Sequence, residues 1–518
     1  MPSAESADRR PRAALGGAPP VWRRHKEVLG NAGTLIATAG FSALLGFAFW
    51  TVAARLFSQA AIGYAAATTS AMTLLGTIGM FGLGTFLIAE LPKRAARAGL
   101  VAAAVLAAGL GSSLLGILFV LVARHLSASL GNSSGTPAAA LILISGVVLT
   151  AATFVFDQAS IALLRGGLQL SRNLILASAK LLVLPVTAYF LHDQFGDGIA
   201  LAWVAGTAIS VVLVAVWLRS KGTAVFAQPD WGVLRGMRRT VLAYNWLGLA
   251  LATPMLLTPI LITVVVSPAA NGAFYVAWVM VTMLFLIPTH LSTVLFAVAS
   301  GNPQVLAAKL RFTLAVSLLV GLLGMAFLGL GAHLVLSIFG PDYAREAALP
   351  LSLLVIAYIP TIPRTHYVAV SRATGKISQA ATAMTLAAIM EMAAVVLGAK
   401  WDGLVGLSVA LLGAKCLTGA VLTPAVIRAA LTRGRHRRVR PTPSPPQGIR
   451  AADVDVSPRC LGEESQRRVQ SLSEAGKSRR RHGTRRSSRG GLPVASSGGR
   501  SRHLAPGRTI RTQASRHC

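Results

Sequence analysis

The sequence predicts an all-α polytopic membrane protein, with about twelve transmembrane helices in two homologous six-helix lobes. Three observations carry that prediction. Hydrophobic residues make up 54% of the chain and charged residues 13%, against roughly 25% charged in an average soluble domain. The apolar residues gather in about twelve blocks that are apolar all round, without the one-sided period of a helix lying on a soluble core. A short hinge between two blocks also recurs. Ser58-Gln59-Ala60-Ala61-Ile62-Gly63 returns as Ser267-Pro268-Ala269-Ala270-Asn271-Gly272, roughly 209 positions later. The register nearly holds further on: His125-Leu126 finds His333-Leu334, and Arg165 and Ser171 find Arg372 and Ser378. Duplication into halves is common in transporters.

The elements follow in order. Residues 1–30 form a basic arm with Arg9, Arg10, Arg12, Arg23, Arg24 and Lys26 and no apolar run of signal-peptide length. The first lobe, 31–218, has blocks near 31–54, 64–90, 98–123, 138–164, 173–191 and 199–218. About 20 helical residues cross a ~30 Å hydrocarbon core, so each block is long enough to span. Residues 219–240 are a basic linker holding Arg219, Lys221, Arg235, Arg238 and Arg239. The second lobe, 241–427, has blocks near 241–266, 271–298, 310–336, 347–371, 378–398 and 403–427. From 428 to 518 Arg, Ser, Pro and Gly dominate, and a disordered basic tail is expected.

Lys and Arg concentrate in every second loop, at Lys93-Arg94, in the linker and at Arg372–Lys376. The positive-inside rule then places both termini in the cytoplasm of a plasma-membrane protein and makes the span count even. The formal charge of +32 lies largely in the tail and short loops. It reads as cytoplasmic charge facing a lipid bilayer, not as a nucleic-acid footprint. Cys416, Cys460 and Cys518 offer no disulfide framework. There is no Walker Gly-rich loop, and the outward loops are too short for a catalytic domain, so neither enzyme activity nor a cofactor is expected.

The pattern Ala54-Arg55-Leu56-Phe57-Ser58, Gly63-Tyr64, Leu75-Gly76-Thr77 and Gly82-Leu83-Gly84-Thr85 resembles the opening hairpin of polysaccharide-transporter flippases. These belong to the multidrug/oligosaccharidyl-lipid/polysaccharide (MOP) superfamily and include transporters of lipopolysaccharide biosynthesis. Pro254, Pro259, Ala273-Phe274-Tyr275-Val276-Ala277, Phe339-Gly340-Pro341-Asp342-Tyr343-Ala344 and Tyr358-Ile359-Pro360 agree in the second half. The resemblance covers about residues 25–430. It implies a two-lobed bundle that alternates between inward and outward states. The implied cargo is a polyprenyl-diphosphate-linked oligosaccharide. The implied partners are a coupling ion, H+ or Na+, and the glycosyltransferases and polymerase of the same pathway. Two other readings stand beside it. One is a cation-coupled multidrug exporter of the same superfamily. The other is an unrelated twelve-helix facilitator, whose usual Gly-x-x-x-Asp-Arg loop is not matched by Glu90-Leu91-Pro92-Lys93-Arg94.

Charges within spans are expensive and usually functional. Asp157, Lys180, Arg364, Glu391 and Lys415 are the candidates. Asp157 lies eight residues before Arg165 and Lys180 eight residues after Arg172, each about 12 Å deep at 1.5 Å per residue, so they are expected to pair. Glu391 and Lys415, both about 20 Å deep, are expected to pair in the second lobe. Arg364 is then left over, in a segment broken by Pro360 and Pro363, and is expected to face a central cavity and grip a diphosphate with its guanidinium. The alternative for Arg364 is an ion pair with Asp157 across the lobes. His290 and His366 lack metal-ligand spacing and are read as packing residues or cavity hydrogen-bonders. The substrate-binding candidates are therefore Arg364, Asp157, Lys180, His290 and His366.

Overall fold

The computed structural model describes residues 26–94, 97–126, 135–163, 166–191, 196–222, 227–234, 239–299 and 303–431. The first 25 residues of the basic arm and Arg235 lie outside the described residues, as does the expected disordered tail from 432 on; its first four residues, 428–431, instead form the last turn of the final helix, because Ala429, Ala430 and Leu431 continue the helix begun in the last apolar block. Among the described residues every regular element is helical.

The first lobe comprises α1 (Lys26–Leu56), α2 (Gln59–Gly79), α3 (Leu83–Glu90), α4 (Arg97–Leu126), α5 (Pro137–Ala162), α6 (Gly166–Phe190) and α7 (Asp197–Ser220). A single turn, α8 (Trp231–Leu234), lies in the linker. The second lobe comprises α9 (Arg239–Val265), α10 (Pro268–Ala299), α11 (Pro303–Leu330), α12 (Ala332–Ser337), α13 (Pro341–Ile356), α14 (Tyr358–Ala373) and α15 (Ile377–Leu431).

Nine of these helices are long and apolar enough to cross a membrane singly, and α13 with α14, bent by 44°, makes a tenth. The remaining two follow from length. α15 has 55 residues, and at ~1.5 Å each it would overshoot a ~30 Å core more than twofold as one rod. Non-helical backbone at Asp402 and Gly403 divides it into two arms, each a span. α1, with 31 residues, completes the twelve. The result is a multi-pass membrane protein.

The recurring hinge has a structural explanation. Ser58 Oγ accepts from the Ala61 amide at 3.2 Å, and Ser267 Oγ accepts from the Ala270 amide at 3.1 Å, so each serine caps the helix it precedes. The two capped turns then meet each other across the lobes. A Cβ on Gly63 would overlap the Pro268 carbonyl, and one on Gly272 would overlap the Gln59 carbonyl. Both positions are glycine because two backbones cross there in contact. Asn271, fully buried, donates from Nδ2 to the Gly63 carbonyl at 2.8 Å and to Thr263 Oγ1 at 2.9 Å.

The hinge end is sealed between the lobes. One buried cluster joins Phe49, Trp50 and Ile62 of the first lobe to Phe274, Val281 and Tyr343 of the second. Phe47 meets Phe339 edge-on at 5.2 Å and Trp50 meets Tyr275 at 4.7 Å. Arg55 Nε donates to the Ile338 carbonyl at 3.0 Å, and Gln59 Nε2 donates to Glu346 Oε2 at 2.9 Å. Toward the opposite, basic end each buried cluster belongs to one lobe. Leu87, Leu100 and Val155 form one in the first lobe, and Leu247 with Met384 and Leu310 with Val426 form two in the second.

One proline expectation changes in detail. The break expected at Pro360 and Pro363 falls at Ala357, just upstream. Pro360 is the third residue of α14, where its missing N–H would have had no helical acceptor, so the helix starts there and runs on through Pro363. Pro254 and Pro259 sit inside α9, which remains one element. The carbonyl that Pro259 would have engaged, that of Met255, accepts instead from Trp278 Nε1 of α10 at 3.3 Å.

Candidate functional site

The deep charges form three groups, and their pairing differs from the sequence expectation. Asp157 on α5 does not meet Lys180. It takes a bidentate fork from Arg172 on α6, with Nε to Oδ1 at 2.8 Å and Nη2 to Oδ2 at 2.7 Å. The reason is where α6 starts. The sequence treated Arg172 as a loop residue, but α6 begins at Gly166. Arg172 therefore lies ~9 Å into the helix, level with Asp157, while Lys180 lies ~21 Å in.

Lys180 is 6% exposed and has no carboxylate partner among the described residues. Its Nζ sits 4.0 Å from the Trp203 ring centroid and 4.8 Å from that of Phe49, an amine held between two aromatic rings. Gly206 on α7 makes the site possible, since a Cβ there would come within 2.7 Å of Lys180 Cβ. The rings continue toward the other lobe. Phe49 meets Trp50 at 5.4 Å, and Trp50 meets Tyr275 of α10 at 4.7 Å.

In the second lobe Glu391 and Lys415 pair as expected, at 2.8 Å. Arg364 is not left over and does not reach Asp157. Its Nη1 lies 2.6 Å from the second oxygen of Glu391, so one fully buried carboxylate is clasped by two cations. Arg364 starts nearer the basic end than Glu391, and its long stem covers the difference. Lys415 also lies over Phe285 at 5.8 Å.

Neither histidine joins a charge. His366 is fully buried and its Nδ1 is 2.8 Å from the Ile362 carbonyl, which requires the proton on Nδ1. Its Nε2 has no partner. His290 lines an apolar cavity of about 360 Å³ between α1, α10 and α11, together with Gly40, Met283 and Val316. The five nominated residues thus do not converge on one point. Among the described residues there is no grouping of His, Cys, Asp and Glu fit to hold a metal.

Sequence reasoning missed Arg172, Trp203 and Phe49. The signal for Arg172 was the pair Gly166-Gly167, after which Leu168 and Leu170 already begin the next helix. Nothing local marked Trp203 or Phe49 as neighbours of Lys180.

Comparison with known structures defines the fold class. The chain matches an inward-facing multidrug resistance MATE family transporter of the MOP superfamily with a TM-score of 0.58 at 15% identity, over 77% of this chain and 98% of that one. It matches a MOP superfamily transporter from Pyrococcus furiosus, described by a reversed polarity of its binding pocket that suggests a different function. There the TM-score is 0.52 at 13% identity, over 78% of this chain and 96% of that one. It matches a single-residue variant of the Vibrio cholerae MATE transporter VcmN with a TM-score of 0.50 at 15% identity, over 78% and 98%. The fold is therefore the twelve-helix, two-lobed fold of these transporters. No protein-family model matches the chain, and none of the curated proteins matches its sequence.

Proposed function

We propose that the protein is a plasma-membrane transporter that flips a polyprenyl-diphosphate-linked oligosaccharide by alternating access, with both termini in the cytoplasm. The observation that carries this reading is the sign of the deep charge. Asp157 and Arg172 cancel. Arg364 and Lys415 share the single carboxylate of Glu391, and Lys180 stands as a further basic side chain with no carboxylate among the described residues. Among the described residues each lobe thus buries one basic side chain more than it has deep carboxylates, beside aromatic rings that border the interlobe core. A diphosphate is the complementary cargo, because charge-assisted bonds to phosphate are strong where water is scarce. The seal at the hinge end and the separate cores at the basic end suit a state open toward the basic end.

The exporter reading asks for a carboxylate free to exchange a cationic drug against a coupling cation. Both deep carboxylates are already engaged, Asp157 by a bidentate arginine and Glu391 by two cations. A buried positive excess also repels a cationic drug.

Lys180→Gln tests the proposal. It removes a buried cation without stranding a carboxylate, so thermal stability should hold. Flipping of a polyprenyl-diphosphate glycan in proteoliposomes should fall about tenfold or more, which corresponds to ~1.4 kcal/mol of lost interaction. Full flipping by the variant, or drug sensitivity with unchanged precursor distribution in depleted cells, would point to the exporter.

A further inference from the structure

Lys180 and the seal between the lobes share one pair of residues on α1. Lys180 Nζ lies 4.8 Å from the Phe49 ring and 4.0 Å from the Trp203 ring, and the two rings stand edge-on to each other at 5.8 Å. Trp50, the next residue of α1, leaves the helix about 100° further round. Its ring meets Phe49 at 5.4 Å and reaches Tyr275 of α10, in the other lobe, at 4.7 Å. Phe49 is fully buried and Trp50 is 3% exposed, so neither ring has slack to turn independently in a close-packed interior.

The amine is the movable part of this chain. Its stem starts where α6 and α7 touch. A Cβ on Gly206 would lie 2.7 Å from Lys180 Cβ and 2.8 Å from its amide nitrogen, so the backbone at Lys180 is fixed. Beyond Cβ the stem is flexible. The amine has no hydrogen-bond acceptor among the described residues. An anionic oxygen offers a charge-assisted hydrogen bond that ring faces do not. An anion arriving at Lys180 therefore draws Nζ out from between Phe49 and Trp203 and leaves the two rings to close on one another. Phe49 moves into that space with its turn of α1, which carries Trp50 away from Tyr275. On the far side Phe274, next to Tyr275, stacks on Trp278 at 5.6 Å, and Trp278 Nε1 holds the Met255 carbonyl. The rings thus run from Lys180 to the stretch of α9 whose hydrogen-bond ladder Pro259 already interrupts.

We propose that Phe49 and Trp50 couple the two events: an anion bound at Lys180 weakens the Trp50–Tyr275 contact and so favours opening of the sealed end. Trp50 and Tyr275 are positioning residues in this arrangement, acting through Phe49 and not on the cargo. The inference rests on Lys180 meeting the diphosphate of the cargo. It adds the order of events, in which the sealed end opens in response to cargo held by the first lobe. A single aromatic pair is worth roughly two- to tenfold in an equilibrium, which sets the size of the effect.

The test uses the full chain in detergent, with Cys416, Cys460 and Cys518 replaced by Ser and with Ile62→Cys as a reporter in the sealed cluster. Inorganic diphosphate is the probe. Its binding is measured by calorimetry, and the rate of thiol labelling is measured on the same samples with and without it. Diphosphate should speed labelling about threefold or more in the reporter protein. Phe47→Leu removes a different ring contact across the same seal, that with Phe339 at 5.2 Å. It should label faster without ligand and keep the acceleration. Trp50→Leu and Tyr275→Leu should also label faster without ligand and bind diphosphate as the reporter protein does, but lose the acceleration. Tyr275→Phe, which keeps the ring, should retain it. Equal acceleration in Trp50→Leu and Phe47→Leu, or diphosphate binding without acceleration in the reporter protein, would overturn the coupling and leave the transport reading standing. Diphosphate binding that is absent, or that Lys180→Gln leaves unchanged, would overturn both, and the calorimetry separates that result from the first.

Discussion

Replacing Glu391 by Gln should destabilise the protein more than removing either of its partners. Glu391 is fully buried and holds Arg364 at 2.6 Å on one oxygen and Lys415 at 2.8 Å on the other. The amide keeps the shape but leaves two buried cations without counter-charge. Stranding a single buried charge costs ~3–5 kcal/mol, so Glu391→Gln should reach the upper part of that range. Arg364→Met leaves Glu391 with Lys415 and gives up one charge-assisted hydrogen bond, ~1.5–3 kcal/mol. Lys415→Met should cost a similar amount, for the mirror-image reason. Turning all three into Met strands nothing and should recover most of the loss. The assay is the thermal midpoint of each purified variant in one detergent. If Arg364→Met left the midpoint unchanged while Glu391→Gln matched Lys415→Met, Arg364 would not belong to the cluster and the reasoning would be refuted.

Other outcomes follow from the same contacts. Asn271→Ala removes the bonds to the Gly63 carbonyl and Thr263 across the sealed end, a loss of ~1–3 kcal/mol for the orphaned groups. It should speed thiol labelling of a cysteine placed at the buried position 62, and an unchanged labelling rate would count against that seal. Arg172→Met should unfold the first lobe at lower temperature than Lys180→Gln does, because only the former strands a carboxylate; the reverse order would refute the assignment of pairs. In intact cells a membrane-impermeant reagent should label a cysteine at position 342 but not at 93 or 376, and labelling at 376 would invert the topology.

How much of this was legible beforehand differs by element. The hinge repeat at Ser58 and Ser267 marked the duplication and the junction between two apolar blocks; that each serine caps a helix came from the structure. What it could not reveal is that the two copies are glycine-bearing because they lie against one another, since Gly63 and Gly272, far apart in the chain, are brought together only by the tertiary fold. The partners of Asp157 turned on whether α6 begins at 166 or 173, a difference of seven residues that moves Arg172 from a loop into the helix. Hydropathy smooths over such an offset, because Gly166–Arg172 is too polar to join an apolar block. Arg364 was misassigned for a related reason. Depth counted along a helix locates a Cα, while an arginine places its charge several bonds away.

The sequence by itself determined the class of protein: twelve spans, two lobes, a basic end and a set of costly interior charges. These follow from composition and period, which act residue by residue through the cost of placing polar groups in hydrocarbon. Only the tertiary structure decided which charges cancel. Ion pairing depends on the rotation and register of neighbouring helices, and these are set by close packing at Gly206 against Lys180 and at Gly419 against Pro360. That packing left Lys180 between Trp203 and Phe49 with no carboxylate among the described residues and gave Glu391 two basic partners, so the lobes that the sequence showed to be homologous are stabilised by different arrangements of charge.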